Sequence, residues 1–274
     1  MVKASEHMLF KCTSAMNKRS ANESIENYLR RMTHLYLDNK DIDDMASEHM
    51  LFKCTSAMNK RSANESIESY LRRMTHLYLD NKEIDDMGDV LKLCPELQVL
   101  YLYDNKMNHI PIFPNNTNLT HIYLQNNEIR RISHLQDLKN LQKLFLSGNK
   151  ILVLEGLDSL EKLTELKMDS QRLPPGESLI VDDQSLKACS KSLKFLDLSR
   201  TKLSTLNGLD CLEGLEYLSL SQNEISQPNE LLPVLSVLRN LKKLDLTGNP
   251  VLSVPRIREA IIFHAKSLGK YLSP

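Results

Sequence analysis

A recurring pattern constrains the fold of this chain more than any other feature of its sequence. The pattern reads L-x-x-L-x-L-x-x-N-x-I, and successive copies start 42, 23, 22, 22, 22, 30, 22 and 26 residues apart. A fixed period of this length is the signature of a repeat architecture. One repeat cannot bury its own leucines, so neighbouring repeats must stack. The pattern therefore predicts a parallel solenoid, with copies starting at Met32, Met74, Leu97, Leu119, Leu141, Leu163, Leu193, Leu215 and Leu241.

Each copy indicates one short strand followed by a polar turn. The ninth position holds an asparagine in five copies (Asn105, Asn127, Asn149, Asn223 and Asn249). A buried amide there can bond backbone groups of adjoining turns. Where Lys40, Lys82, Gln171 or Thr201 replaces it, we expect a less regular turn. The period is that of a 22-residue leucine-rich repeat, and it predicts an α/β fold: a solenoid with a concave parallel β-sheet, short convex helical turns and helical caps.

The amino-terminal part of the chain is duplicated. Residues 4–45 recur as 46–87 with 40 of 42 positions identical. Repeats that pack against each other normally diverge, so we interpret residues 1–45 as a recent tandem copy or a faulty gene model. Residues 46–254 are then the solenoid proper, and residues 255–274 a carboxy-terminal cap helix.

Capping and loop-forming residues in the sequence mark the two ends of the solenoid and one insertion. Ser62 and Glu65 have capping-box spacing, which predicts an amino-terminal cap helix over about 63–73. Pro255 suits the first position of the carboxy-terminal helix. The long 30-residue interval contains an insertion at about 174–192, which begins as a loop and continues as a helix over 185–193.

Composition narrows the functional classes. Lys plus Arg and Asp plus Glu both number 35, so no net field favours nucleic acid or an anionic membrane. No segment has a signal-peptide core or about 18 consecutive apolar residues. Five cysteines, without any C-x-x-C pair, argue against a disulfide framework. We expect a cytoplasmic protein with reduced thiols that binds neither nucleic acid nor membrane.

Catalytic and cofactor motifs are absent from the sequence. There is no P-loop, no G-x-G-x-x-G and no H-E-x-x-H. His76 and His121 share the third pattern position, but the Val99 repeat separates them by roughly 10 Å at about 4.8 Å per strand, too far for one metal ion. We therefore expect no enzyme activity, no cofactor and no metal.

The remaining candidate is the concave face. The fifth pattern position alternates with buried leucines and places four aromatic residues in a row: Tyr78, Tyr101, Tyr123 and Phe145. Such a row stabilises a sheet, so it can be scaffolding alone. Tyrosine is also enriched at interface hot spots, which favours a docking strip. In the carboxy-terminal half this position holds Lys167, Asp197, Ser219 and Asp245. Charges there are typical of a solvated face, although a partner that binds the aromatic row at one end can also contact these charges at the other.

Three stretches carry a family resemblance: LCPELQVLYLYDNKM, TNLTHIYLQNNEI and ELKMDSQRLPPGESLIVDDQSLKACSKSLKFLDLS. They resemble the 22-residue leucine-rich-repeat regulators of protein phosphatase 1, with QRLPPGE the most specific part. The resemblance spans about residues 65–268. It implies a non-catalytic regulator that binds the phosphatase catalytic subunit at the microtubule-organising centre, or centrosome, and the cytoskeleton. Family members bind through acidic and aromatic residues of the concave face, and the nearest matching positions here are Tyr101, Asp104, Tyr123, Phe145, Glu165 and Asp197. Tyr78 from the aromatic row and Tyr103 beside it complete the eight candidate partner-binding residues.

One departure from phosphatase-binding proteins leaves an alternative open. The sequence has no basic-Val/Ile-x-Phe docking motif, since AIIF at 260–263 lacks the basic residue. Phosphatase binding must then come from the solenoid face. The alternative is a cytoskeletal or ciliary scaffold that binds tubulin or motor proteins without regulating the phosphatase.

Overall fold

A curved parallel sheet organises the molecule. The structure is a computed structural model, and it describes residues 65–268. Eight strands pair side by side in the order β1-β2-β3-β4-β6-β8-β9-β10, all parallel. Their bounds are β1 His76–Tyr78, β2 Val99–Tyr101, β3 His121–Tyr123, β4 Lys143–Phe145, β6 Glu165–Lys167, β8 Phe195–Asp197, β9 Tyr217–Ser219 and β10 Lys243–Asp245. The predicted leucine-rich-repeat fold class is confirmed, with one strand per turn.

The core is a stack of aliphatic side chains at identical positions of successive turns. Leu77 pairs in register with Leu100, which pairs with Ile122. All three are fully buried, as are the leucines two residues further along the chain. Burial of each such side chain stabilises the fold by about 1.5–3 kcal/mol. Since every turn shares its leucines with its neighbours, the stability is distributed along the solenoid.

Buried amides connect neighbouring turns, as the ninth pattern position predicts. Asn127 donates through Nδ2 to the Leu102 and Leu124 carbonyls, at 2.9 and 3.1 Å, and accepts from the Met107 N–H at 2.9 Å. Gln171 makes the same set: it donates to Leu146 and Met168 and accepts from Ile151. The expected irregularity is therefore wrong at Gln171, because the longer amide still reaches the same groups.

Thr201 shows what happens when no amide is present. Its hydroxyl donates to the Leu198 carbonyl at 2.8 Å and contacts Asn223 Oδ1 at 3.1 Å. Asn223 Oδ1 also accepts hydrogen bonds from the backbone N–H groups of Thr201 and Leu203, at 3.0 Å each. Lys82 in the first described turn is exposed and contributes no buried amide. Lys40 lies outside the described residues.

The residue before the ninth pattern position has a left-handed conformation in all eight described turns. These residues are Asn81, Asp104, Asn126, Gly148, Ser170, Arg200, Gln222 and Gly248, with φ between 54° and 76°. Only glycine, and to a lesser degree Asn and Asp, adopts this region at low cost. At Gly148 a side chain would also be too close to its neighbour, because its Cβ would press against Asn126 Oδ1. The left-handed backbone of this residue produces the sharp turn directly after each strand.

The convex side consists mainly of single turns. Typical bonds run from the Leu138 N–H to the Leu135 carbonyl and from Leu141 to Leu138. A 3-10 helix at Val90–Leu93 and a second parallel pair, β5 Val153–Leu154 with β7 Ile180–Val181, complete this side. The predicted helix over 185–193 is wrong: that segment forms consecutive turns, with i to i−3 bonds such as Lys187 N–H to Gln184.

Helices close both ends, with bounds that differ from prediction. Helix α1 is Ile67–Arg72, and its N-cap is Ser66, whose hydroxyl accepts from the Ser69 N–H. The predicted cap residue Ser62 lies outside the described residues. Helix α3 is Ile257–His264, so Pro255 is not its first residue; the chain enters through Arg256 at φ 60°. A 3-10 helix at Pro250–Ser253 precedes it.

Helix α2, Pro228–Val237, was not predicted. It fills the 26-residue interval between the last two pattern copies, starts with proline at its first position and contains Pro233. Leu231 and Leu235 are its buried residues. The duplicated segment 1–45 and its pattern copy at Met32 lie outside the described part of the chain. Within residues 65–268, no helix has the length and apolar character needed to cross a bilayer.

Candidate functional site: the concave face

The four predicted aromatic residues form one contiguous row on the concave face. The rings of Tyr78 and Tyr101 stack with centroids 4.7 Å apart and planes 9° from parallel. Tyr101 and Tyr123 stack at 4.7 Å and 6°. Phe145 meets the edge of Tyr123 at 5.0 Å. The rings meet because their strands pair in register, each ring residue opposite the next.

Contacts between neighbouring rings stabilise this row. Each aromatic pair contributes about 0.5–1.5 kcal/mol beyond the area it buries. All four side chains are half-buried, so one edge or face of each remains accessible. Burial, followed by the charges of the neighbouring tyrosines, raises the pKa of Tyr101. Its hydroxyl therefore stays protonated and can donate as well as accept a hydrogen bond.

Lys167 continues the row on β6. Its ammonium lies 4.5 Å from the Phe145 ring centroid and 5.1 Å from that of Phe195. The Glu165 carboxylate is 3.5 Å away on the same strand. Cation–π contacts at partly exposed sites contribute about 0.5–1 kcal/mol each. The lysine thus holds a fixed positive charge between two rings in the middle of the face.

A second aromatic pair lies beyond Lys167 and was missed at the sequence level. Phe195 and Tyr217 stack with centroids 4.3 Å apart and planes 2° from parallel. They occupy the third pattern position, two residues before the fifth position that holds the first row. Because side chains at both positions point to the same side of a strand, the third position was a detectable signal. We call the seven side chains the concave band: Tyr78, Tyr101, Tyr123, Phe145, Lys167, Phe195 and Tyr217.

The other predicted site residues lie around the concave band. Tyr103 is half-buried just after β2; burial, and then the Asp80 carboxylate, raises its pKa. Asp104 is exposed at the left-handed turn position, and Asn126 Nδ2 donates to it at 2.7 Å. Both lie at the edge of the band where the strands end.

Glu165 and Asp197 lie within the sheet and already have partners. Glu165 pairs with Lys143 at 3.1 Å, in addition to its contact with Lys167. Asp197 accepts from the Ser199 hydroxyl at 2.6 Å and from the Ser199 N–H at 3.0 Å. The structure thus brings all eight predicted residues onto the concave side, and Asp104 is the most peripheral of them.

The two histidines of the third pattern position lie on strands that are not adjacent. His76 and His121 each pair with Val99, which lies between them. Among residues 65–268, no group of three or more His, Cys, Asp or Glu side chains could hold a metal ion. Burial, followed by repulsion from Lys143, lowers the pKa of His121. His121 is therefore a neutral ring beside Tyr123, at a centroid distance of 6.4 Å.

Comparison with known proteins agrees with this architecture. The family described as "Leucine rich repeat" matches residues 111–151. The chain folds as a leucine-rich-repeat solenoid. The match covers β3, β4 and the turns around them, where the pattern is most regular.

Solved structures of bacterial leucine-rich-repeat proteins share the fold. An internalin from Listeria monocytogenes is 24% identical with a TM-score of 0.57; the match covers 68% of this chain and 53% of the internalin. The internalin C2 of that organism is 20% identical with a TM-score of 0.63 over 82% of this chain and 90% of its own. A leucine-rich-repeat protein from Leptospira interrogans is 21% identical with a TM-score of 0.57, covering 73% and 54%. These likenesses concern the fold alone.

Repeat solenoids use their concave surface for extended partners. Here that surface offers stacked rings and a lysine, Lys167, that lies against two of them. Among the described residues of this face, the carboxylates of Glu165 and Asp197 already have partners in Lys143 and Ser199.

Proposed function

We propose that this protein is a non-catalytic interaction scaffold whose concave band binds a partner protein. The observation that carries the proposal is the continuous set of ring contacts from Tyr78 to Phe145. Aromatic anchors that are already ordered bind at a lower entropic cost than flexible side chains. A contiguous half-exposed aromatic row also marks an interaction site more often than an isolated ring does.

The finer part of the proposal concerns the partner. We infer the catalytic subunit of protein phosphatase 1, regulated at the microtubule-organising centre and cytoskeleton. Its support is the sequence resemblance through QRLPPGE to protein phosphatase 1 regulatory subunit 42, also called testis leucine-rich repeat protein. The eight candidate residues lie together on one face, as binding through that face requires.

Replacing three rings together tests this proposal. Tyr101→Ser, Tyr123→Ser and Phe145→Ser in one variant should abolish capture of the purified phosphatase catalytic subunit. Aromatic hot spots contribute at least about 2 kcal/mol each, so even one such ring implies a loss of roughly thirtyfold in affinity. Far-ultraviolet circular dichroism should be unchanged, because the rings are half-buried and the leucine core is intact.

A matched control removes exposed apolar side chains elsewhere. Ile112 and Ile180 are 60% and 54% exposed and lie outside the concave strands. The double variant Ile112→Ser and Ile180→Ser should capture the phosphatase like the unmodified protein. Equal capture by the triple and the double variant would refute the assignment to the concave band.

The absence of a basic-Val/Ile-x-Phe motif favours a second candidate, a cytoskeletal or ciliary scaffold for tubulin or motor proteins. The two candidates differ in what the protein retains when it is purified from ciliated tissue. The first predicts the phosphatase catalytic subunit among the retained proteins, and its loss with the triple variant. The second predicts tubulin or motor subunits without the phosphatase.

A further inference from the structure

Two departures from the regular repeat meet on the side of the solenoid away from the concave face. The insertion supplies Asp183, Gln184 and Lys187, and helix α2 supplies Glu230, Pro233 and Val237. The regular turn between them supplies Leu206, Gly208 and Asp210. Together they line a groove of about 700 Å³. Neither extra element is needed to close a repeat, since neighbouring turns close within 22 residues.

The insertion approaches the floor of this groove closely. Gly208 has φ +81°, and a Cβ on it would lie 3.1 Å from Asp183 Oδ1 and 3.2 Å from Val181 Cγ1. A larger residue there would displace the Asp183 carboxylate. The glycine therefore lets the acidic wall of the groove lie directly against its floor.

The charge of the lining is predominantly negative. Asp183, Asp210 and Glu230 oppose a single cation, Lys187, whose ammonium donates to Gln184 Oε1 at 2.8 Å. No ion pair within residues 65–268 involves any of the three carboxylates. Two of these carboxylates also affect the adjacent thiol. Burial is the main cause that raises the pKa of Cys211, and the negative charges of Asp210 and Asp183 raise it further.

The rest of the lining combines apolar side chains, among them Val234, with the amides of Asn207 and Asn229. Leu206 is buried at the base, and Val237 at the opposite rim is 41% exposed. No three acidic, histidine or cysteine side chains in the described residues are close enough together to hold a metal ion. The three carboxylates come from three different elements, namely the insertion, the regular turn and helix α2, and such an arrangement suits separate cations on an extended ligand.

We propose that this groove, which we name the insertion groove, binds a basic segment of a partner protein. The segment carries Lys or Arg side chains that pair with Asp183, Asp210 and Glu230. An aliphatic side chain between them packs on Leu206 and Val237. The insertion groove is separate from the concave band, so the protein can hold two partners at once.

A labelled peptide tests the proposal directly. The probe is a fluorescein-labelled heptapeptide in which Lys or Arg alternates with Leu, measured by fluorescence anisotropy with the full chain. The variant Asp183→Asn, Asp210→Asn and Glu230→Gln should bind it at least tenfold more weakly. Binding should also weaken between 0.05 and 0.5 M salt, because exposed charges are screened. Val237→Ser should weaken it about threefold.

Matched controls separate the groove from general charge and from the concave band. Asp137→Asn, Asp158→Asn and Glu161→Gln remove three exposed carboxylates from preceding turns and should leave binding unchanged. The concave triple variant should also bind normally, so a failure of the phosphatase proposal would not affect this result. Equal binding of a Glu-Leu peptide, or equal loss in both carboxylate variants, would overturn the proposal. Circular dichroism of each variant confirms that it folds.

Discussion

Removing the Asn127 side chain perturbs the hydrogen bonds that join neighbouring turns. Its Nδ2 group donates to the carbonyls of Leu102, Leu124 and Gln125, and its Oδ1 accepts from the Met107 N–H. Three of these four backbone groups have another partner. Asn105 also donates to Leu102, Asn149 also donates to Leu124, and the Asp104 N–H also donates to Gln125. Only the Met107 N–H depends on Asn127 alone.

The cost of Asn127→Ala follows from this inventory. An unsatisfied buried N–H destabilises by about 1–3 kcal/mol, and each ordinary hydrogen bond lost by about 0.5–1.5 kcal/mol. The Met107 N–H loses its partner, so we assign it the full range of about 1–3 kcal/mol for an unsatisfied group. The carbonyls of Leu102 and Leu124 each keep another partner, so we assign each lost donation only about 0.5 kcal/mol. The expected loss in the free energy of unfolding is about 2–4 kcal/mol.

Urea unfolding followed by far-ultraviolet circular dichroism measures this loss. The control is Asn118→Ala, where an exposed amide donates to Glu96 Oε2 at 3.1 Å and where we expect a change within about 0.5 kcal/mol. Amide exchange should accelerate most in peptides that contain Met107. If Asn127→Ala and Asn118→Ala are equally stable, the buried amides do not hold the turns together and the reasoning fails.

Three further predictions concern other parts of the solenoid. Gln171→Ala should cost about as much as Asn127→Ala, because Gln171 makes the equivalent bonds and alone satisfies the Ile151 N–H; urea unfolding compares the two variants. Glu128 pairs with Lys150 and with Arg172, the hydrogen bond from Lys150 being the main reason that its pKa is lowered. Its contribution should therefore be full above its unfolded pKa and be lost as pH falls through the lower folded pKa. For this partly exposed group we expect less than about 1 kcal/mol, and Glu128→Gln should match the unmodified protein in stability once the pH lies below that folded pKa. Burial raises the pKa of Cys94 and Cys189 to about 12, so iodoacetamide at pH 8 should modify half-buried Cys211 before either of them, as peptide mass spectrometry would show.

The strands and the first aromatic row could be predicted because one period controls both. A pair such as Tyr101 and Tyr123 is 22 residues apart in sequence and adjacent in space once the leucines stack. Phe195 and Tyr217 have the same separation but sit at the third pattern position. A search confined to the fifth position could not find them. The pattern predicts that Lys167 is one of several solvated charges at the fifth position, whereas its ammonium lies between two rings, and nothing in the sequence indicates that contact.

The irregular elements were harder to predict because no neighbouring copy repeats them. Helix α2 contains Pro228 and Pro233, and prolines usually indicate a loop. Pro228 is tolerated at the first helical position, where no intrahelical N–H bond is needed. In the insertion, the apolar spacing around Leu186 and Cys189 is satisfied by successive single turns that bury both side chains. Spacing alone does not distinguish such turns from a helix.

Hydroxyl-radical footprinting with the phosphatase catalytic subunit tests the central claim most directly, because it reports which side chains the partner covers. Labelling of Tyr78, Tyr101, Tyr123 and Phe145 should fall when the subunit is added, while labelling of Ile112 and Ile180 should stay constant. Unchanged labelling of the four rings in a complex that demonstrably forms would contradict the account, as would protection confined to Ile112 and Ile180.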